Sequence, residues 1–253
     1  MQHETMSTTL AMPPSPDNGI RIPTLNNFGW MLTINVEHSD QFIEHASKSP
    51  DWSLDIGCAY GIHTLAAIRG GGRVVAVDLD ARHLEILRSQ LEPALSDRLQ
   101  VSCGAFPDVE LPVRQFGTIL CSRVLHFMDP ETLQRAVARI ANLLLPGGKV
   151  FVAVVTPYHR LIETFIPEYE QRKKAGDPWP GFVTDVRVHH TEQLQREQIG
   201  SKPMHFMEPP TLRAVFENAG LVVEHCEFHA IKMEHMYIDG REGLQLVASK
   251  PLE

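Results

Sequence analysis

The chain has 253 residues, of which 43% are hydrophobic, a length and content that suit one large domain with additions and can fill a sizeable core. A formal charge of −8 argues against a general nucleic-acid binder, which would carry a basic face. No apolar stretch approaches the roughly 20 residues that span a bilayer, and the four cysteines (Cys58, Cys103, Cys121 and Cys226) form no C-x-x-C pair, so free thiols in a cytoplasmic, reducing setting are expected.

Residues 1–20 run through Met6-Ser7-Thr8-Thr9 and Pro13-Pro14-Ser15-Pro16, a composition that buries too little apolar surface to offset its ordering entropy. They are expected to form a flexible arm, and residues 21–253 a single domain. Phe28, Trp30, Met31, Leu32 and Ile34 make an apolar cluster, and a leader helix is expected over 37–47, before Pro50. Strands and helices then alternate. Trp52–Ile56 reads as a strand, Ile62–Ile68 as a helix ended by Gly70-Gly71-Gly72, and Arg73–Asp78 as a second strand. Asp80 is placed to cap a helix whose Leu84, Leu87 and Leu91 share one face. Leu99–Cys103 and Thr118–Cys121 are the next strands. Asp129-Pro130 opens a helix with the stripe Leu133, Val137, Ile140 and Leu144, stopping at Pro146-Gly147-Gly148 before a strand over Lys149–Val155. Residues 156–208 break this rhythm as an insertion with the apolar face Leu161, Ile162, Phe165 and Tyr169. A helix from Pro209-Pro210 and two strands, Leu221–Phe228 and Leu244–Ser249, complete the chain. The pattern predicts an α/β fold with right-handed crossovers and a ligand crevice at the carboxyl ends of its parallel strands.

The stretch that organises the rest is Leu54-Asp55-Ile56-Gly57-Cys58-Ala59-Tyr60-Gly61, an acidic, glycine-bearing loop leading into a helix. Its glycines let a ligand approach the backbone, and the helix start offers free N–H groups. Asp55 at its mouth would repel a pyrophosphate and suits a cationic ligand, and the loop lacks the G-x-G-x-x-G spacing of a nicotinamide-dinucleotide site. The run Val74-Val75-Ala76-Val77 ends at Asp78, where a carboxylate can accept both hydroxyls of a ribose.

The pattern Asp55-x-Gly57-x-Ala59-x-Gly61 resembles the cofactor loop of the class I S-adenosylmethionine-dependent methyltransferases, which commonly reads Asp/Glu-x-Gly-x-Gly-x-Gly. Ser122-Arg123-Val124-Leu125-His126-Phe127 and Leu143-Leu144-Leu145-Pro146-Gly147-Gly148-Lys149-Val150 extend the resemblance, which covers about residues 52–155. It implies a three-layer Rossmann-like sandwich whose seven-stranded, mostly parallel sheet has the order 3-2-1-4-5-7-6. It also implies S-adenosylmethionine as cofactor and S-adenosylhomocysteine as product. The cofactor would be held by Asp55, Gly57, Cys58, Ala59, Tyr60 and Gly61 in the loop, and by Asp78 and Leu79 after the second strand. Gly104, Ala105 and Phe106 after the third strand and Ser122 after the fourth would complete the site. One departure is Ala105, standing where the family usually has an acid for the adenine amino group.

Methyl transfer requires a nucleophile placed in line, exclusion of water and, for many acceptors, removal of a proton. His126, Tyr158 and His159, following the fourth and fifth strands, are the candidates for that proton. The insertion histidines His189, His190 and His205 fit no metal frame, and no metal is expected. The expected partner is a small-molecule methyl acceptor bound in a lidded cleft, with no nucleic acid and no membrane; a homodimer stays open. The alternatives are a protein or RNA methyltransferase and a non-catalytic cofactor-binding module, the latter favoured only by Ala105.

Overall fold

The computed structural model describes residues 10–33, 37–190, 201–231, 233 and 236–252. Residues 1–9 of the expected arm, Ile34 of the apolar cluster and residues 191–200 of the insertion lie outside them. Within the rest of the arm, Asp17 accepts from the Arg21 backbone N–H at 2.7 Å and pairs with its side chain at 2.5 Å. There follows a hairpin that the sequence pattern did not announce, β1 (Arg21–Pro23) antiparallel to β2 (Trp30–Leu32). Three-residue strands are too short to show a period. The leader helix is α1 (Glu37–Lys48).

The alternating segments form as expected: β3 (Trp52–Ile56), α2 (Ile62–Arg69), β4 (Arg73–Asp78), α3 (Ala81–Ser89), β5 (Leu99–Cys103) and β6 (Phe116–Ser122). Asp80 caps α3 by accepting from the Arg82 N–H, and Asp129 caps α4 (Pro130–Leu143) through the N–H groups of Glu131 and Thr132. Leu144 departs from the helical stripe: it begins β7 (Leu144–Val155) opposite Phe116. Pro146-Gly147-Gly148 is thus an irregularity inside a strand, where Gly147 takes φ +75° and donates its N–H to the Lys250 carbonyl.

The insertion forms a kinked 3-10 turn over Arg160–Phe165, α5 (Ile166–Lys174) and a two-residue pairing of β8 (Phe182–Val183) with β9 (Met204–His205). Pro167 lies in the first turn of α5, so Leu161, Ile162, Phe165 and Tyr169 are all buried without sharing one regular helix. α6 (Pro209–Asn218), β10 (Val222–His229) and β11 (Gly243–Ser249) finish the fold.

The main sheet has the order β5-β4-β3-β6-β7-β11-β10, with β11 antiparallel to both neighbours. In order of appearance this is 3-2-1-4-5-7-6, the Rossmann-like arrangement. Alternation divides the core: Val75 and Val77 pack with Leu133, Val137, Ile140 and Phe216 of α4 and α6. Val74 and Ala76 face Phe42 and Ile68 of α1 and α2 and Leu84 of α3. Burying each such large side chain contributes roughly 1.5–3 kcal/mol, and that rigid slab positions the loops at its edge. Among the described residues no helix is long and apolar enough to cross a membrane, and no group of three or more His, Cys, Asp or Glu could hold a metal ion.

Candidate functional site

Beyond β3 the chain turns through Gly57–Gly61 into α2. Gly57 and Gly61 have φ of +71° and +79°. A Cβ would lie 2.3 Å from Val124 Cγ2 at the first and 2.2 Å from Leu87 Cδ1 at the second, so both need glycine for space as well as for conformation. Ala59 holds φ +46° despite its methyl group, its N–H donating to Asp78 Oδ2 at 2.9 Å. The N–H groups of Gly57 and Cys58 both donate to the Val77 carbonyl, which ties the loop to β4. No side chain caps α2 and its first turn carries no acid, so its leading N–H groups face outward to an incoming ligand.

Two carboxylates stand beneath this loop. Asp55 is buried and accepts from Thr64 Oγ1 at 2.6 Å. Burial pushes its carboxyl up to about 6; the Thr64 hydrogen bond opposes that rise and the Asp78 charge adds to it. A cation here would stabilise the ionised form. Asp78 Oδ1 accepts from the Asp80 N–H at 2.9 Å and lies 3.0 Å from His83 Nδ1. His83 Nε2 accepts the Leu25 N–H at 3.0 Å, which places the ring proton on Nδ1 and makes it a donor to Asp78. Three of the carboxylate's roughly four acceptor positions are therefore filled from within the chain, and Oδ2, with Ala59 alone, has room for a ribose hydroxyl.

A cavity of about 440 Å³ opens at the carboxyl ends of β3, β4, β6 and β7. Asp55, Gly57, Cys58, Ala59, Asp78, Leu79, Gly104, Ala105, Phe106, Ser122, His126 and His159 all line it. Tyr60, Gly61 and Tyr158 do not. The Tyr60 hydroxyl donates to the Pro23 carbonyl at 2.7 Å, anchoring the β1–β2 hairpin, and its ring lies edge-on to His83. Tyr158 Oη lies 2.6 Å from Glu170 Oε1 and 2.5 Å from Glu208 Oε1. Burial, then those carboxylates, push its phenol far up, which favours the protonated form. His126 and His159 are buried imidazoles pushed down to about 3, by burial first, with Arg123 and His159 adding at His126 and His190 at His159. Both are neutral near pH 7 and present acceptor nitrogens. Cys58, Cys121 and Cys226 are buried with their thiols pushed up by that burial, whereas Cys103 is exposed.

The roof was not foreseen in this form. Phe28, Trp30 and Met31 of the hairpin face the cavity from one side, and Leu161, Met204 and Phe206 of the insertion from another. Lys202 joins the two, its Nζ 3.7 Å from the centre of the Phe28 ring. Thr64, His83 and Arg123 were also missed; His83 five residues beyond Asp78, one turn into a helix capped by Asp80, is the one sequence signal that marks any of them.

Residues 54–148 match a family model described as "Methyltransferase domain". The chain is 32% identical over 136 residues to a ribosomal protein L11 methyltransferase of Pelobacter propionicus, covering 51% of this chain and 41% of the relative. It is 34% identical over 115 residues to a ubiquinone biosynthesis O-methyltransferase of Stutzerimonas stutzeri, covering 44% and 47%. The chain thus spans less than half the length of these curated relatives. A solved S-adenosylmethionine-dependent methyltransferase of Methanosarcina mazei superposes with a TM-score of 0.60 over 83% of this chain and 97% of that one, at 15% identity, a likeness of fold. Residues 54–148, with the acidic glycine loop and the carboxylate ending β4, are thus similar to a methyltransferase domain, and the 3-2-1-4-5-7-6 sheet is a fold shared with solved S-adenosylmethionine-dependent methyltransferases.

Proposed function

We propose that the chain is an enzyme that passes the methyl group of S-adenosylmethionine to an oxygen or nitrogen of a small molecule held in this cavity. The observation that carries the reading is continuity: one cavity joins the acidic glycine loop to a wall of imidazoles and apolar side chains. The residues fit the cofactor: Asp55 would meet its cationic part, Asp78 Oδ2 would accept from a ribose hydroxyl, and Leu79, Phe106 and the Gly104 and Ala105 backbone would receive the adenine. When bound, the cofactor supplies a methyl group already activated on a sulfonium. The protein's part is then to orient the acceptor, to keep water out beneath the hairpin and insertion, and to accept a hydrogen bond from the acceptor's O–H or N–H at the neutral imidazole of His126 or His159.

A volume of about 440 Å³ falls in the range of roughly 300–1,000 Å³ common for small-molecule sites, and the roof supports a small acceptor. Residues 21–253 act in this reading as one unit with 156–208 as the acceptor wall, in the cytoplasm, with no nucleic-acid or membrane partner, as a monomer or a homodimer. A second reading, a protein acceptor, draws on the likeness to the L11 methyltransferase. Calorimetric titration with S-adenosylhomocysteine and, separately, NAD tests the cofactor; micromolar or tighter binding of the first alone is expected, and binding of neither would sink the enzyme reading. Radiolabelled methyl transfer then separates the acceptors: label found only in protein would replace the small molecule.

A further inference from the structure

Arg123 follows β6 with φ +59°, in the left-handed region that few non-glycine residues occupy. Its backbone N–H donates to the Ala153 carbonyl of β7 at 2.7 Å, and its side chain is half-buried on the cavity wall. Burial alone lowers its pKa, to about 10, so it remains a cation. Among the described residues no carboxylate pairs with it and no acceptor takes its N–H groups; its charge is felt by the imidazoles of His63, His126 and His229, which it helps to keep neutral. Arg21, Arg69, Arg82, Arg172 and Lys173, by contrast, each pair with an acid. A guanidinium partly withdrawn from water without an anion is costly, and the cost is recovered when a ligand brings one.

Position tells which ligand brings it. The acids of the site, Asp55 and Asp78, belong to β3 and β4. Arg123 follows β6, which lies beside β3, and is tied to β7; its charge is felt at His63 of α2 and at His229, the last residue of β10, so it stands between the cofactor loop and the half of the sheet away from Asp55 and Asp78. From the proposed methyltransferase reading and this placement, we infer that the methyl acceptor is an organic acid whose carboxylate pairs with Arg123, neighboured by the imidazole of His126. The planar fork of the guanidinium matches a carboxylate with two parallel N–H···O bonds, which fixes the acceptor's orientation as well as its charge. The same wall gives a neutral amide no ionic partner.

The test titrates benzoate and benzamide into the protein saturated with S-adenosylhomocysteine, for wild type, Arg123→Gln and Arg123→Lys, after S-adenosylhomocysteine itself has been titrated into each. Wild type should bind benzoate about tenfold or more tightly than benzamide, Arg123→Gln should lose that preference, and Arg123→Lys should keep part of it. S-adenosylhomocysteine affinity should stay within about twofold in Arg123→Gln, which also reports that the variant is folded. Equal or absent binding of the two probes to wild type, or a preference surviving in Arg123→Gln, overturns the inference. So does a tenfold loss of S-adenosylhomocysteine affinity in folded Arg123→Gln, which would give the carboxylate to the cofactor. Failure of wild type to bind S-adenosylhomocysteine would instead break the underlying enzyme reading.

Discussion

Over β3 and β4 the carboxylates of the cavity wall are internally satisfied, with His63 Nε2 of α2 left unpartnered: Thr64 donates to Asp55, and Ala59, Asp80 and His83 all donate to Asp78. Over β6 and β7 the wall is polar and unsatisfied: both nitrogens of His159 and Nδ1 of His126 lack a hydrogen-bond partner among the described residues. The first half is shaped for one invariable ligand and can be preorganised down to the proton on His83. The second must fit whatever acceptor the protein takes, and its polar atoms are completed by that molecule. The difference teaches where stability and specificity are stored, since paired groups hold the fold and unpaired buried ones select the ligand.

Acidification should expose this contrast most strongly. His38, His63, His126, His159, His205 and His229 are pushed down to about 3 or 4, burial being the first cause at each. Their contribution is present above the unfolded value near 6.5 and is lost as pH falls toward 4. At about 1.4 kcal/mol per unit, His126 and His159 represent on the order of 5 kcal/mol each, against roughly 5–15 kcal/mol for a typical domain. Asp55 has the opposite sign: raised to about 6, it favours the fold below its unfolded value and loses that as pH rises through 6, by only about 3 kcal/mol. Denaturant midpoints should therefore fall steeply between pH 6.5 and 4; a flat profile would show that the imidazoles are hydrated.

Gly57→Val comes next. The new side chain meets Val124 at a φ of +71°, so a loss of about 2–3 kcal/mol in stability is expected, with S-adenosylhomocysteine binding abolished in calorimetry. Asp78→Ala should weaken that binding by about tenfold or more, since charge-assisted hydrogen bonds contribute about 1.5–3 kcal/mol. An unchanged dissociation constant would remove Asp78 from the site. Thr64→Val deletes one donor to Asp55 and should raise its pKa further, costing about 1 kcal/mol and moving the pH at which S-adenosylhomocysteine binding fails upward. Tyr158→Phe, outside the cavity, should leave that binding within about twofold while lowering the melting temperature by a few degrees; a large binding defect would blur the boundary drawn between the halves.

Much of this was readable in one dimension. The strands over 52–155 declare themselves through β-branched runs bounded by glycine and aspartate, and Asp80 and Asp129 mark their helices, because those signals are local. Leu144 misled for the same reason: it continues the 3.6-residue spacing of Leu133, Val137 and Ile140, and only its pairing with Phe116 assigns it to a strand. Tyr60 sits in the glycine loop by sequence, yet a carbonyl 37 residues earlier takes its hydroxyl. Arg123 is an ordinary letter in Ser122-Arg123-Val124, since the lack of a counter-ion is a property of everything around it and of no single stretch.

The burial pattern of the thiols has a practical side. With Cys58, Cys121 and Cys226 shielded and held as thiols, a maleimide dye has one open address, Cys103, next to Gly104 on the cavity wall. A fluorophore placed there without any engineering would sit within one residue of the cofactor's berth, turning the native chain into its own occupancy gauge.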